Sequence, residues 1–234
     1  IATSPQFFSA VAGWLAAKCK NRPFIFEVSD LWPESIKAVG ALQNGFILRT
    51  LEWFELFLYK EAKKIIVLSP SFKNNLVSRG IDSEKVIIIL NGVDTSQFFP
   101  RQRSAKLVQK YNLENTFVIA YFGTLGMAHA LSNVIETAEI LKNENKRIKV
   151  LFVGSGAERN NLIALAQEKN TTNVVFVPPQ SREKMPEFWS LCDIALVHLK
   201  NAPAFSEVIP SKIFEAMASG CPILLAAPKG ISHH

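Results

Sequence analysis

Short apolar runs rich in β-branched residues alternate with segments of helical period through most of the chain, and that pattern is the signature of parallel α/β units. In the first half the runs are Phe24 to Val28, Lys64 to Leu68 and Val86 to Leu90, separated by helical stretches near Pro5 to Lys20, Phe46 to Ala62 and Ser71 to Arg79. In the second half they are Phe117 to Phe122, Ile148 to Val153, Val174 to Val177, Asp193 to Leu199 and Pro222 to Leu225. The helix expected after the first of these, from near Ala130, puts Leu131, Val134, Ile135, Ala138 and Leu141 on one face and turns Glu136, Glu139 and Lys142 away. Between Asn91 and Lys110 the apolar period lapses into Asn-Gly, Asp94, Gln97, Pro100 and a basic patch, the best candidate for a linker. Two Rossmann-like lobes with parallel sheets are therefore expected, over residues 1–100 and 101–234, with no short internal repeat.

Composition narrows the function classes. With 234 residues, 48% hydrophobic and 20% charged, the chain can bury a sizeable core, and disordered, collagenous and low-complexity classes are excluded. The net charge of +6 favours anionic partners such as nucleotide phosphates or an anionic membrane face. Nucleic acid is not expected, because no basic helix, zinc module or aromatic stacking motif accompanies the charge. Cys19, Cys192 and Cys221 have no Cys-x-x-Cys spacing; each reads as a small core residue in a reducing, cytoplasmic compartment. The most apolar stretch, Gly45 to Tyr59, is interrupted by Arg49, Glu52 and Glu55 and is too short to span a bilayer. A chain that opens on Ile1 and closes on Ile231, Ser232, His233 and His234 directly after a strand reads as a fragment, both lobes being truncated.

In an open parallel sheet, ligands bind at the carboxyl ends of the strands, where helix N-termini offer N–H groups and partial positive charge. The loops of the second lobe are the places to search. Gly123-Thr124-Leu125-Gly126 lets backbone approach a ligand closely; Gly154-Ser155-Gly156 is followed by Glu158 and Arg159. A Gly-x-Gly after a strand is equally a tight turn. In the third loop Glu207 precedes Pro210 and Ser211, which open a helix, and Glu215 sits about a turn inside it, with Gly220 and Pro222 ending it. A nucleotide sugar would suit this loop, with its diphosphate on N–H groups and Lys212 and its hydroxyls on carboxylates. From spacing alone, a solvated Glu207 and a helix-face Glu215 are as admissible.

The second lobe resembles the donor-binding domain of the family-four retaining glycosyltransferases of GT-B fold. Glu207, seven residues, Glu215 and then Ala216-Met217-Ala218-Ser219-Gly220-Cys221-Pro222 look like that family's signature segment. Asp30-Leu31-Trp32-Pro33-Glu34-Ser35, Val67-Leu68-Ser69 and Asn91-Gly92-Val93-Asp94 resemble landmarks of the acceptor lobe in bacterial members that build surface polysaccharides such as lipopolysaccharide, O-antigen and capsule. Pro210-Ser211-Lys212 is similar to the subgroup of N-acetyl-fucosamine transferases acting on lipid-linked oligosaccharides.

The resemblance implies an enzyme that transfers a sugar from a nucleotide-sugar donor, with UDP as the expected nucleotide, to a lipid-linked or saccharide acceptor. It implies that Glu207 faces the donor sugar, that Glu215 binds the ribose hydroxyls, and that Gly123, Thr124 and Gly126 lie close to the diphosphate. Many relatives supply an Arg and a Lys after the first glycine loop. This chain has none there, so the charge falls to Lys212, Arg159 and helix dipoles, with the neutral Ser211 next to Lys212 among the residues expected to bind the donor. Where several relatives place a His in the acceptor lobe, this chain has Asp30, which reads equally as a contact to a sugar or acceptor hydroxyl and as a helix cap. The implied chemistry is a same-face transfer in which the departing diphosphate helps to deprotonate the incoming hydroxyl, with no covalent carboxylate intermediate.

No metal or other cofactor is expected, since no Asp-x-Asp signature occurs and neither His129 nor His198 has a second ligand at metal spacing. His198 reads as a strand residue and His129 as a loop contact near the donor. A lipid-linked acceptor would need access to the inner face of the cell membrane. Phe46, Ile47, Leu51, Trp53, Phe54, Phe57, Leu58 and Tyr59, with Lys60, Lys63 and Lys64, could form a basic amphipathic surface for that peripheral contact or simply a helix buried in its own lobe. The alternatives to a transferase are a nucleotide-binding fragment without turnover and a GT-B nucleotide-sugar epimerase.

Overall fold

The computed structural model describes residues 1–4, 7–40, 42, 44–144, 147–205 and 208–228, with the side chains of Phe7 and Ala204 also outside the description. Glu207, the first glutamate of the signature, and the four closing residues fall outside the described residues. The chain divides into two compact units, one built on Ile1–Asn91 with Ala202–Ile209 and one on Gly92–Asn201 with Pro210–Ala227.

The first unit runs β1 (Ala2–Ser4), α1 (Phe7–Cys19), β2 (Ile25–Val28), α2 (Glu34–Val39), α3 (Gly45–Glu61), β3 (Lys64–Val67), α4 (Pro70–Ser78) and β4 (Val86–Ile88). Its four strands form one parallel sheet in the order β1-β2-β3-β4, with Phe26 opposite Ile65 and Ile65 opposite Val86. Local chemistry sets the helix ends. The Asn44 side chain accepts from the N–H groups of Phe46 and Ile47 to start α3, and Ser69 accepts from Phe72 N–H to start α4, with Pro70 in the first turn. The core gathers Phe26, Val28, Ile65, Val67, Leu58, Tyr59, Phe72 and Leu76.

Under that core lies a buried ion pair. Glu55 of α3 is 3% exposed, accepts from the Tyr59 hydroxyl at 2.6 Å and pairs with Arg79 at 2.5 Å. Burial pushes the Glu55 carboxyl above its ordinary pKa, and the Arg79 guanidinium opposes that rise. The helix expected over Phe46 to Ala62 thus buries Leu48, Glu55, Leu58 and Tyr59 in its own unit. Its opposite face is exposed at Phe46 (80%) and Trp53 (65%).

The second unit runs α5 (Ala105–Lys110), β5 (Phe117–Phe122), α6 (Ser132–Glu144), β6 (Ile148–Val153), α7 (Arg159–Glu168), β7 (Val174–Val177), α8 (Met185–Trp189), β8 (Ile194–His198), α9 (Lys212–Ala218) and β9 (Ile223–Ala226). Its parallel sheet has the order β7-β6-β5-β8-β9, so β5 is central and the chain reverses its direction of winding there. Helix α6 buries Val134, Ile135 and Ala138 against the sheet, as its period requires. Part of the segment expected to link the lobes is folded: Phe98 is 1% exposed in the core of the second unit, and α5, capped by Ser104, buries Leu107. The expectation of three core cysteines needs correction. Cys221 is buried and Cys192 half-buried, but Cys19, in the last turn of α1, is exposed, because it lies on the side of that turn opposite Ala17, which packs against the core.

Candidate functional site

The carboxyl ends of β5 and β6 carry the two glycine loops, and they are held together backbone to backbone. Gly123 N–H donates to the Val153 carbonyl at 3.0 Å, Leu125 N–H to the Ser155 carbonyl at 2.8 Å and Glu158 N–H to the Leu125 carbonyl at 3.0 Å. A Cβ on Gly154 would overlap the Gly123 carbonyl, and one on Gly156 would overlap that of Leu125. Both residues also have left-handed φ, at +156° and +157°. The Gly-x-Gly spacing therefore has a packing cause: only hydrogen leaves room for the neighbouring loop. Thr124 lies exposed at the tip, with its carbonyl taken by the Tyr121 hydroxyl at 2.8 Å. Gly126 leads into a 3-10 turn over Met127–His129.

Lys212, the first residue of α9, reaches back across this loop. Its Nζ stands 3.7 Å from the centre of the Tyr121 ring and packs against Gly123. Burial pushes the Lys212 ammonium down to about 7, and the Glu215 carboxylate opposes that shift. Tyr121 is fully buried, which raises its phenol pKa. On the same ring, His129 stands edge-on at 5.8 Å. His129 Nδ1 lies 3.2 Å from the His198 carbonyl and His198 Nδ1 lies 2.7 Å from the His129 carbonyl, a reciprocal clamp of loop to strand end. Burial, with the Lys212 charge adding to it, holds His129 down at about 4, so its ring is neutral near pH 7.

Glu215 is half-buried on α9 and its Oε2 accepts from the Trp189 indole N–H at 3.1 Å. Ser211 precedes α9 with an exposed side chain that does not cap it. Arg159 opens α7, its backbone N–H donating to the Gly156 carbonyl at 3.1 Å, and its Nε is buried without a hydrogen-bond partner. Gly123, Lys212 and Glu215 are thus brought together, and Arg159 is tied to the neighbouring loop. Two parts of this arrangement escape sequence reasoning: Tyr121, the platform for Lys212, and Trp189, the partner of Glu215. Both are aromatics inside apolar segments, where the pattern reads only as core.

Asp30 belongs to the first unit, just past β2. Burial raises its carboxyl pKa, opposed by hydrogen bonds from the Ser35 hydroxyl and the Leu31 N–H. Ser35 lies in the first turn of α2, so the carboxylate pins the β2–α2 turn. Beside it a cavity of about 510 Å³ is lined by Leu31, Glu34, Lys37, Asn75, Ala202 and Pro203. Among the described residues no three His, Cys, Asp or Glu side chains gather as a metal site would require. No helix among them is long and apolar enough to cross a membrane.

Residues 104–234 match the family model described as glycosyl transferases group 1, and residues 2–97 match that of glycosyltransferase family 4. The chain is 26% identical to the putative colanic acid biosynthesis glycosyl transferase WcaI of Escherichia coli K12, over 94% of this chain and 55% of that one. It is 30% identical to the D-inositol 3-phosphate glycosyltransferase of Mycobacterium sp. strain KMS, over 99% and 52%. The chain spans about half the length of the curated relatives it matches. Among solved structures, Anabaena HepE, in complex with UDP and glucose, superposes with a TM-score of 0.78 at 20% identity, covering 99% of this chain and 60% of that one. The sucrose-phosphate synthase of Thermosynechococcus elongatus superposes with a TM-score of 0.73 at 20% identity, covering 97% and 56%. These likenesses give the fold, that of the GT-B glycosyltransferases.

Proposed function

The chain belongs to the group 1 glycosyl transferases, and on that premise we propose that it is part of an enzyme that transfers a sugar from a nucleotide-sugar donor to a lipid-linked or saccharide acceptor in bacterial surface-glycan synthesis. The observation that carries the reading is the convergence of the Gly123 loop, the Lys212 ammonium and the Glu215 carboxylate at the carboxyl end of the central strand. A diphosphate needs donors and positive charge; ribose hydroxyls need an acceptor. In this reading Lys212 and Arg159 bear on the diphosphate, Glu215 on the ribose, and Glu207, named on the family resemblance alone, on the donor sugar. The complex of HepE with UDP and glucose supports UDP as the nucleotide. An N-acetyl amino sugar is favoured on the similarity of Pro210-Ser211-Lys212 to transferases of such sugars.

The chemistry proposed is retaining and same-face. The bond from the anomeric carbon to the diphosphate breaks, the acceptor hydroxyl bonds from the same side, and its proton passes to the departing diphosphate. The protein's part is to meet the charge that grows on the leaving group, with a preorganised ammonium and backbone N–H groups in a site that costs no reorganisation. Asp30 and the neighbouring cavity are assigned to the acceptor side, at the inner face of the membrane for a lipid-linked acceptor. No metal is assigned.

Calorimetric titration of the chain with UDP, GDP and a UDP-N-acetyl amino sugar, alongside Glu215→Ala, tests this reading. UDP should bind, and the substitution should weaken it by roughly 1 to 3 kcal/mol, the worth of a charged hydrogen bond. A folded chain that binds none of the three, or an unchanged affinity in the variant, overturns the assignment.

A further inference from the structure

The outward face of α3 does not look like the solvent face of a surface helix. Such a face is normally charged or polar, opposite the buried stripe. Here Phe46, Arg49, Trp53, Phe57 and Lys60 follow one another at spacings of three and four, which aligns them in one row along the helix. The row lies opposite the buried Leu48, Glu55 and Tyr59. Phe46 is 80% exposed and Trp53 65%, with Arg49 and Lys60 exposed beside them. The Trp53 ring stacks on Phe57 at 6.1 Å, and Phe57 meets Trp14 of α1 edge-on at 5.2 Å, so the row continues onto α1, where Leu15 is also exposed.

Positive charge dominates this surface. Of the three glutamates of α3, Glu55 is buried in its pair with Arg79, Glu61 is held by Lys18 and the Trp14 indole, and Glu52 is half-buried outside the row. Lys63, just past the helix, is exposed as well. Exposed aromatics interleaved with cations, with the acids at the margin paired or half-buried, match a surface that offers apolar depth beneath a layer of negative charge.

We propose that the outward face of α3 is a docking surface for an anionic lipid bilayer, with Trp53 and Phe46 entering the headgroup boundary and Arg49 and Lys60 meeting lipid phosphates. It extends the lipid-linked acceptor reading above, because a short peripheral contact would keep such an acceptor within reach. It stands on the surface of α3 and not on the nucleotide site.

Flotation with vesicles of phosphatidylglycerol and phosphatidylethanolamine, and with pure phosphatidylcholine, tests it. The chain should float with the anionic vesicles at low salt and less at high salt or with phosphatidylcholine. Trp53→Ser should weaken the association about tenfold. Arg49→Gln and Lys60→Gln should each weaken it about fivefold, as expected for one cation near a charged membrane. All three positions are exposed, so thermal unfolding should stay as in the parent chain. Absence of flotation, flotation untouched by Trp53→Ser, or a dimer in sedimentation equilibrium that Trp53→Ser abolishes without vesicle binding would each overturn the proposal. UDP titration of the same samples separates the two readings. Nucleotide binding without flotation sinks only the docking surface, and flotation without nucleotide binding sinks only the donor site.

Discussion

Replacing Lys212 by Met, which keeps the apolar stem and removes the ammonium, should flatten the pH dependence of UDP binding from about pH 7 to about pH 9. Burial on Tyr121 holds the Lys212 ammonium at about 7 against an ordinary 10.5. At ~1.4 kcal/mol per pKa unit, roughly 4 to 5 kcal/mol stand against the charged form in the free chain. A terminal phosphate carries its second charge above pH ~6, and set beside the ammonium it favours the charged form again. At about pH 8 only about a tenth of free chains carry the charge, so binding there should take up close to one proton, and the dissociation constant should rise about fivefold from pH 7 to pH 8 and close to tenfold from pH 8 to pH 9. His129, held near 4, stays neutral throughout and adds no proton.

Stability has the opposite sign. The folded pKa lies below the unfolded one, so folding releases a proton between about 7 and 10.5, and the Lys212 contribution to stability grows as pH rises through that window. Calorimetry in two buffers of different ionisation enthalpy counts the proton directly. An affinity that is flat over the window with no buffer-dependent heat, or a Met variant with the parent slope, would refute the reasoning.

Gly154→Ala places a Cβ on the Gly123 carbonyl at a left-handed φ, so it should cost about 2 kcal/mol or more and lower Tm by several degrees; a parent Tm in differential scanning calorimetry would contradict the loop packing. Arg79→Met leaves Glu55 buried without its cation, and urea unfolding at neutral pH should show a loss of about 3 to 5 kcal/mol. Because burial already holds the Glu55 carboxyl above its ordinary pKa, the folded state binds that proton more readily than the unfolded chain, and part of the loss should return near pH 5. A loss below about 1 kcal/mol, or one that grows on acidification, would count against the buried pair.

Local pattern carries the elements of this chain. The runs Phe117–Phe122, Ile148–Val153 and Val174–Val177 are strands over those same residues, because strands of a covered parallel sheet are mainly apolar, Lys149 near the start of β6 being the exception, and their ends are marked by polar residues and glycines. Short elements such as β1, α2 and α8 escape the pattern, since three to six residues hold too little period to be recognised. Of the candidate site, sequence alone supplies the glycine loops, Lys212 and Glu215, through spacing and family resemblance. The partners of those residues come from elsewhere in the chain. Tyr121 meets Lys212 through a sheet that brings β5 beside β8, His129 and His198 clasp across 69 residues, and Trp189 reaches Glu215 across 26. Contact across such distances is a property of packing, and so are its consequences: an ammonium that titrates near neutrality, a histidine that does not, and a helix whose outward face is as aromatic as its buried one.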